Sequence, residues 1–193
     1  VPLSHQKETR LHYELPSQDT LDDALKAHRM LFIPSKTCHH SQPSDKVNPD
    51  EAHIVAILLG RIYRFYGNSF DADKTIGVIV PYRNQIAMIR KEIEKLGIKA
   101  LEKISIDTVE RYQGSQRDVI IYSFTVQHRY QLDFLTANCF EENGHIIDRK
   151  LNVAVTRARK QMIITGNEMV LNQDPIFKEL IATSAIFNHQ SHG

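Results

Sequence analysis

The chain has 193 residues, 41% hydrophobic and 24% charged, which suits one globular domain with a sizeable core. A net charge of +1 supplies no bulk positive field, so any nucleic-acid binding must come from a local patch. No apolar run approaches the roughly 20 residues of a membrane helix. Two cysteines without paired spacing, Cys38 and Cys139, read as reduced thiols of the cytoplasm or a nucleus rather than a disulfide framework.

In chain order, residues 1–27 are polar and irregular, an approach segment to a core domain over 28–184. MLFIPS (30–35) predicts a short buried strand, and TCHHSQPSDKV (37–47) a loop. Asn48, Pro49 and Glu51 carry the signals of a helix start. Ile54, Val55, Leu58, Ile62 and Phe65 continue that helix to a stop at Gly67. IGVIVPY (76–82) is a second strand, and Ile86, Ile89, Ile93 and Leu96 mark a helix closed by Gly97. ISID (104–107) and VIIYSFTV (119–126) read as strands, and 127–147 as a loop. In LNVAVTRARKQMIITGN (151–167), Leu151, Ala154, Val155 and Ala158 form the apolar face of a helix. Lys150, Arg157 and Lys160 fall on its outer side, and a MIIT strand follows. A closing helix begins near Asp174, and 185–193 is a tail. Alternating helices and wholly apolar strands predict an α/β domain, its mostly parallel sheet covered on both faces.

Two tempting signals fail. Asp50-Glu51-Ala52-His53 spells a helicase metal-binding box, but that chemistry needs the aspartate at the end of a buried strand. Here the letters fall in a first helical turn, where acidic residues favour the helix dipole. Cys38, His39 and His40 lack a second spaced pair of ligands and read as a surface loop, so no metal site is expected. No glycine is followed by lysine, so a Walker A loop is absent and any nucleotide site must be built mostly elsewhere.

Three blocks carry the functional reading. ISIDTVERYQGSQRDVIIYSF (104–124) wedges polar residues between two strands, in a connection expected at the crevice beyond strand C-termini. Thr108 offers a hydroxyl there, Gly114 close backbone approach, and Gln113 and Gln116 hydrogen bonds to a sugar or base edge. VPYRNQIAMI (80–89) sets Pro81, Tyr82 and Gln85 at a strand end, where the tyrosine face or the amide would meet nucleic acid. The third block is the arginine-rich 151–167 itself.

Together these blocks resemble the second RecA-like domain of superfamily 1 helicases. The branch resembled is that of the nonsense-mediated-decay RNA helicase and the Okazaki-fragment nuclease-helicase. Its patterns TPYxxQ, TVDxFQGxExD and RRLNVAxTRAR, the last before a strand ending in GN, appear here in that order. Pro81, Tyr82, Gln85, Thr108-Val109, Gln113-Gly114, Asp118, Leu151–Ala154, Thr156–Arg159 and Gly166-Asn167 match, as do Asn48 and Glu51-Ala52 of an NxxEA helix start. The resemblance implies a RecA-like, P-loop-NTPase-type fold lacking its own P-loop. It makes Arg157 the arginine finger at the ATP γ-phosphate, with Gln116 at the ribose and Gly114 nearby. Pro81, Tyr82, Thr108, Gln113 and Thr156 would line a single-stranded DNA or RNA track, and Arg159 would brace the fold or pair with a carboxylate. ATP and Mg²⁺ would be held mainly by an N-terminal RecA-like domain of the same parent, because a chain beginning at Val1 reads as an excerpt. No membrane partner is implied.

Departures are specific: Val80 replaces a threonine, Glu110 an aspartate, Tyr112 a phenylalanine and Gln116 a glutamate. Residues 136–147 extend the usual connection, and the family's QYRMHP motif would lie upstream. Two function classes follow. One is the C-terminal motor domain of an ATP-dependent helicase, inactive as an isolated fragment; the other is a helicase-derived binding module without ATPase activity.

Overall fold

A computed structural model describes residues 13–37, 44–112, 115–137, 139–142 and 145–188, with the backbone path alone for 139–142 and 145–149. The chain runs α1 (Thr20–Ala27), β1 (Met30–Pro34), α2 (Pro49–Tyr66), β2 (Ile76–Val80), α3 (Arg83–Glu94), β3 (Ser105–Thr108) and β4 (Arg117–Ser123). It continues through α4 (Leu132–Leu135), β5 (Cys139–Glu142), β6 (His145–Asp148) and α5 (Arg149–Arg157). β7 (Ala158–Gly166), α6 (Glu168–Leu171), α7 (Pro175–Thr183) and β8 (Ala185–Ile186) complete it.

Six strands form one sheet in the order β3-β2-β4-β7-β1-β8, every pairing parallel. Side chains alternate across it, so each apolar strand feeds two cores. Leu31, Ile33, Val78, Val80, Val119, Ile121 and Ile163 pack with α1, α2 and α3 on one face. Phe32, Ile79, Ile120, Tyr122 and Ile164 pack with α4, α5, α6 and α7 on the other. This is the RecA-like α/β layering expected. α2 begins as its sequence predicts: the Asn48 side chain accepts the Glu51 N–H, and Pro49 takes the first turn. It ends at Gly67 with φ +51°, and Gly97 after α3 sits at φ +67°.

Five local expectations change. The segment read as irregular contains α1, anchored in the core by Leu21 and Leu25 and by Asp22, fully buried against Arg61 and Arg64. Two apolar residues four apart are too short a pattern to announce a helix. The arginine-rich helix ends at Arg157, and Ala158 already pairs with Arg117 of β4, so Arg159 and Lys160 lie on a strand. Sheet pairing here overrides helical periodicity. Lys150 is buried rather than outward, because it precedes Ala154 by four residues and shares that residue's covered face. The loop read over 127–147 holds α4 and the antiparallel pair β5–β6. Residues 185–186, read as tail, add β8 to the sheet edge beside β1.

Candidate functional site at the two ends of the sheet

Strand register decides which residues meet. Arg117 pairs with Ala158, so Gln116 and Arg157, each one residue before its strand, are neighbours at the N-terminal end of the sheet. Thr108 pairs with Val80 at the C-terminal end, which carries Pro81, Tyr82 and Ser123. Seven residues of β4 separate the two ends by about 20 Å. The polar β3–β4 connection therefore starts in the C-terminal crevice, as read from sequence, but finishes at the opposite end. Thr156 lies with Gln116, whose Nε2 donates to the Thr156 carbonyl at 3.3 Å, and is separated from Thr108. Gln113 and Gly114 lie outside the described residues, as do Cys38, His39 and His40.

At the N-terminal end three arginines differ in commitment. Arg117 is buried, donating to the Gln116 carbonyl and to Ser105 Oγ, both at 3.2 Å. Arg159 donates from Nε to Asp118 Oδ1 at 3.0 Å and from a terminal nitrogen to the Lys74 carbonyl at 3.0 Å. Asp118 also takes Lys160 at 3.5 Å and the Tyr66 hydroxyl at 3.0 Å, so Arg159 braces the fold as expected. Arg157 is half-buried, its Nε is covered, and among the described residues it has no hydrogen-bond or ion-pair partner. A covered Nε without an acceptor is costly, while the half-buried side chain still reaches solvent.

The C-terminal end is tightly knit. Pro81 and Tyr82 are buried, and the Tyr82 ring stacks on Phe134 with centroids 5.1 Å apart and planes 16° apart. The tyrosine face offered to nucleic acid in the sequence reading is thus covered from within the domain. Gln85 is also taken: its Oε1 accepts the Asn48 N–H at 2.8 Å and its Nε2 donates to the Asn48 carbonyl at 2.9 Å. Thr108 is buried and bonds the Glu110 carboxylate, which pairs with Lys150 at 3.1 Å. Burial pushes the Glu110 carboxyl up, but its own N–H, the Lys150 ammonium and the Thr108 hydroxyl together hold it below the usual carboxylate range. Lys150 also sits 4.1 Å from the Phe134 ring centroid.

Sequence reasoning passed over one residue here. Glu51, read as a dipole-facing acid, is fully buried. Its carboxyl accepts from the Thr125 N–H at 2.8 Å, Ser123 Oγ at 2.9 Å and Asn48 Nδ2 at 2.8 Å. It thereby holds Thr125 at φ +69°, a backbone conformation rare for a β-branched residue. The signal was present as the NxxEA pattern, but its depth was not.

The described residues contain no group of three His, Cys, Asp or Glu able to hold a metal ion. Nor is any described helix long and apolar enough to cross a membrane. The chain matches the AAA domain family across residues 4–169. It belongs to that family, in its superfamily 1 helicase branch. Regulator of nonsense transcripts 1 of Dictyostelium discoideum is 38% identical over 55% of this chain and 8% of its own length. The DNA replication ATP-dependent helicase/nuclease DNA2 of Xenopus laevis is 33% identical over 66% of this chain and 11% of its own. The probable helicase MAGATAMA 3 of Arabidopsis thaliana is 26% identical over 76% of the chain and 17% of its own. This helicase-family domain therefore matches less than a fifth of each of these relatives.

Proposed function

We propose that this domain is the C-terminal half of an ATP-dependent helicase motor. Arg157 reaches across an interdomain cleft to the γ-phosphate of ATP, and the C-terminal end of the sheet guides single-stranded DNA or RNA. The observation that carries the reading is the uncommitted Arg157 guanidinium, set at a helix–strand junction while Arg117 and Arg159 are tied into the fold. A planar cation fixed in that place stabilises charge developing on a transferring phosphoryl group, an effect of about 10³–10⁵ in rate. Gln116, whose amide nitrogen already donates to Thr156, keeps its oxygen for a ribose hydroxyl, with Gly114 giving close approach. Thr156 goes with this nucleotide end by position. Pro81, Tyr82, Thr108 and Gln113 line the strand path, the buried ones by shaping it rather than by stacking. ATP and Mg²⁺ would be held mainly by an N-terminal RecA-like domain of the same protein, because this chain has no Gly-Lys for a Walker A loop.

The second reading, a binding module without ATPase activity, draws on Gln116, where the resemblance expects a carboxylate. ATP hydrolysis by the full-length protein, with and without single-stranded nucleic acid, separates the two. In the motor reading, nucleic acid stimulates turnover, and Arg157→Ala lowers kcat by about 10³-fold or more while ATP still binds. Unchanged turnover in that variant would move the catalytic arginine elsewhere. Nucleic-acid binding with no turnover in either protein would support the module.

A further inference from the structure

The segment after β4 ends in an exposed aromatic pair that the proposed track does not use. The Glu51 carboxyl holds the Thr125 N–H, and the Val126 N–H bonds the Phe124 carbonyl at 2.7 Å, so the chain turns sharply as it leaves the sheet. Gln127 then donates to the Val47 carbonyl at 2.8 Å. Gln131 accepts the N–H groups of Gln127 and His128 at 2.9 and 3.1 Å and donates to the Asp45 carbonyl at 2.8 Å. The His128 ring in turn accepts from the Gln131 backbone, closing a capping box. On this frame His128 and Tyr130 stack with centroids 5.4 Å apart and planes 7° apart, and the Tyr130 hydroxyl bonds the Asp45 carboxylate. Tyr130 is 62% exposed. Arg129, between them in the sequence, is exposed and has no partner among the described residues.

We propose that Tyr130, backed by His128 and flanked by Arg129, is a platform on which a base of single-stranded nucleic acid stacks. Three observations point to that class of ligand. The rings are pre-set by five hydrogen bonds, so stacking orders little that is free. An exposed cation, Arg129, neighbours both ring residues in the sequence and is available to the phosphate backbone, a combination typical of sequence-tolerant single-strand sites. The surrounding exposed residues Asp45, Lys46 and Asp133 are polar, so the pair is not the centre of an apolar patch of the kind a protein partner buries. Phe134, the other exposed aromatic of this segment, is already taken by Tyr82 and Lys150. The inference rests on the reading that the C-terminal end carries nucleic acid, because Gln131 also reaches the Tyr82 hydroxyl, at 3.5 Å.

The test uses the whole 193-residue chain with fluorescent oligo-dT and oligo-U, and an oligo-dT carrying one 2-aminopurine to report stacking. Tyr130→Ala is expected to raise Kd about 5- to 150-fold, the usual effect of losing one base–aromatic stack. It should also abolish 2-aminopurine quenching, whereas Tyr130→Phe keeps both although its bond to Asp45 is gone. Wild-type binding by Tyr130→Ala beside weakened binding by Thr108→Val would overturn the platform, leave the track standing and free the pair for a protein partner. Failure of the unsubstituted chain to bind either oligomer would overturn platform and track together.

Discussion

Glu51 gathers Ser35 from the end of β1, Asn48 from the start of α2, and Ser123 and Thr125 from the end of β4 around one carboxyl without solvent. Burial is the larger influence on its acidity and pushes it up to about 8, against the lowering by the Thr125 N–H and the Ser123 and Ser35 hydroxyls. In the unfolded chain the same carboxyl titrates near its ordinary value of about 4.3. As pH rises between those values the unfolded chain releases a proton that the folded chain keeps. The contribution of Glu51 is therefore fully present below about pH 4.3 and is lost as pH rises through about 8. Thermal melts at acidic and mildly alkaline pH should show wild type losing several degrees more than Glu51→Gln, whose amide oxygen can still accept from the Thr125 N–H and the Ser123 hydroxyl but which does not titrate. Equal losses in the two proteins would mean that this carboxyl is not neutral in the fold.

Between elements, the β3–β4 connection packs closely against β2 at Gly77. A Cβ on Gly77 would lie 1.7 Å from the Tyr112 hydroxyl oxygen, so the absent side chain of β2 makes room for the tyrosine. Tyr112 is 4% exposed, and its hydroxyl has no hydrogen-bond partner among the described residues. An unpaired buried hydroxyl costs about 1–3 kcal/mol, and the resembled family places phenylalanine here. Tyr112→Phe should raise the urea midpoint at unchanged m, or leave it level, while Gly77→Ala lowers it by overpacking worth about 1–3 kcal/mol or more. A lower midpoint for Tyr112→Phe would show that the hydroxyl has a partner. α5 joins the two ends of the sheet in one element: Lys150 at its start touches Glu110 and Phe134, and Arg157 closes it beside Gln116. Its first and last turns thus stand at different ends of the sheet.

For the molecule as a whole, the separation of the two ends by about 20 Å gives each its own ligand in the proposed motor, with α5 and the sheet between them. The proposed nucleotide end holds, among the described residues, an arginine without a partner and no acidic cluster, and the sequence has no Gly-Lys for a phosphate loop. Half of such a site cannot align a phosphate, a metal and a water. The purified 193 residues should show no ATP hydrolysis above background and only weak nucleotide binding by equilibrium dialysis. Robust turnover by this chain alone would defeat the half-site reading.

By itself the amino-acid order determined what local chemistry and pattern determine. The Asn48–Pro49 start and Gly67 end of α2, the apolar strands of a parallel sheet and the helicase-like series of blocks were all legible. The bracing role of Arg159 and the family followed from the same motifs. Tertiary structure alone decided that Ala158 pairs with Arg117 and starts a strand, that Lys150 is buried, and that Phe134 covers the Tyr82 face. It also decided that Thr108 and Arg157 stand at opposite ends and that His128 and Tyr130 stack in what read as a loop. The physical reason is range. Capping and periodicity act over a few residues and are written along the chain, whereas register, ring stacking and burial depend on partners tens of residues away that only the folded sheet brings together.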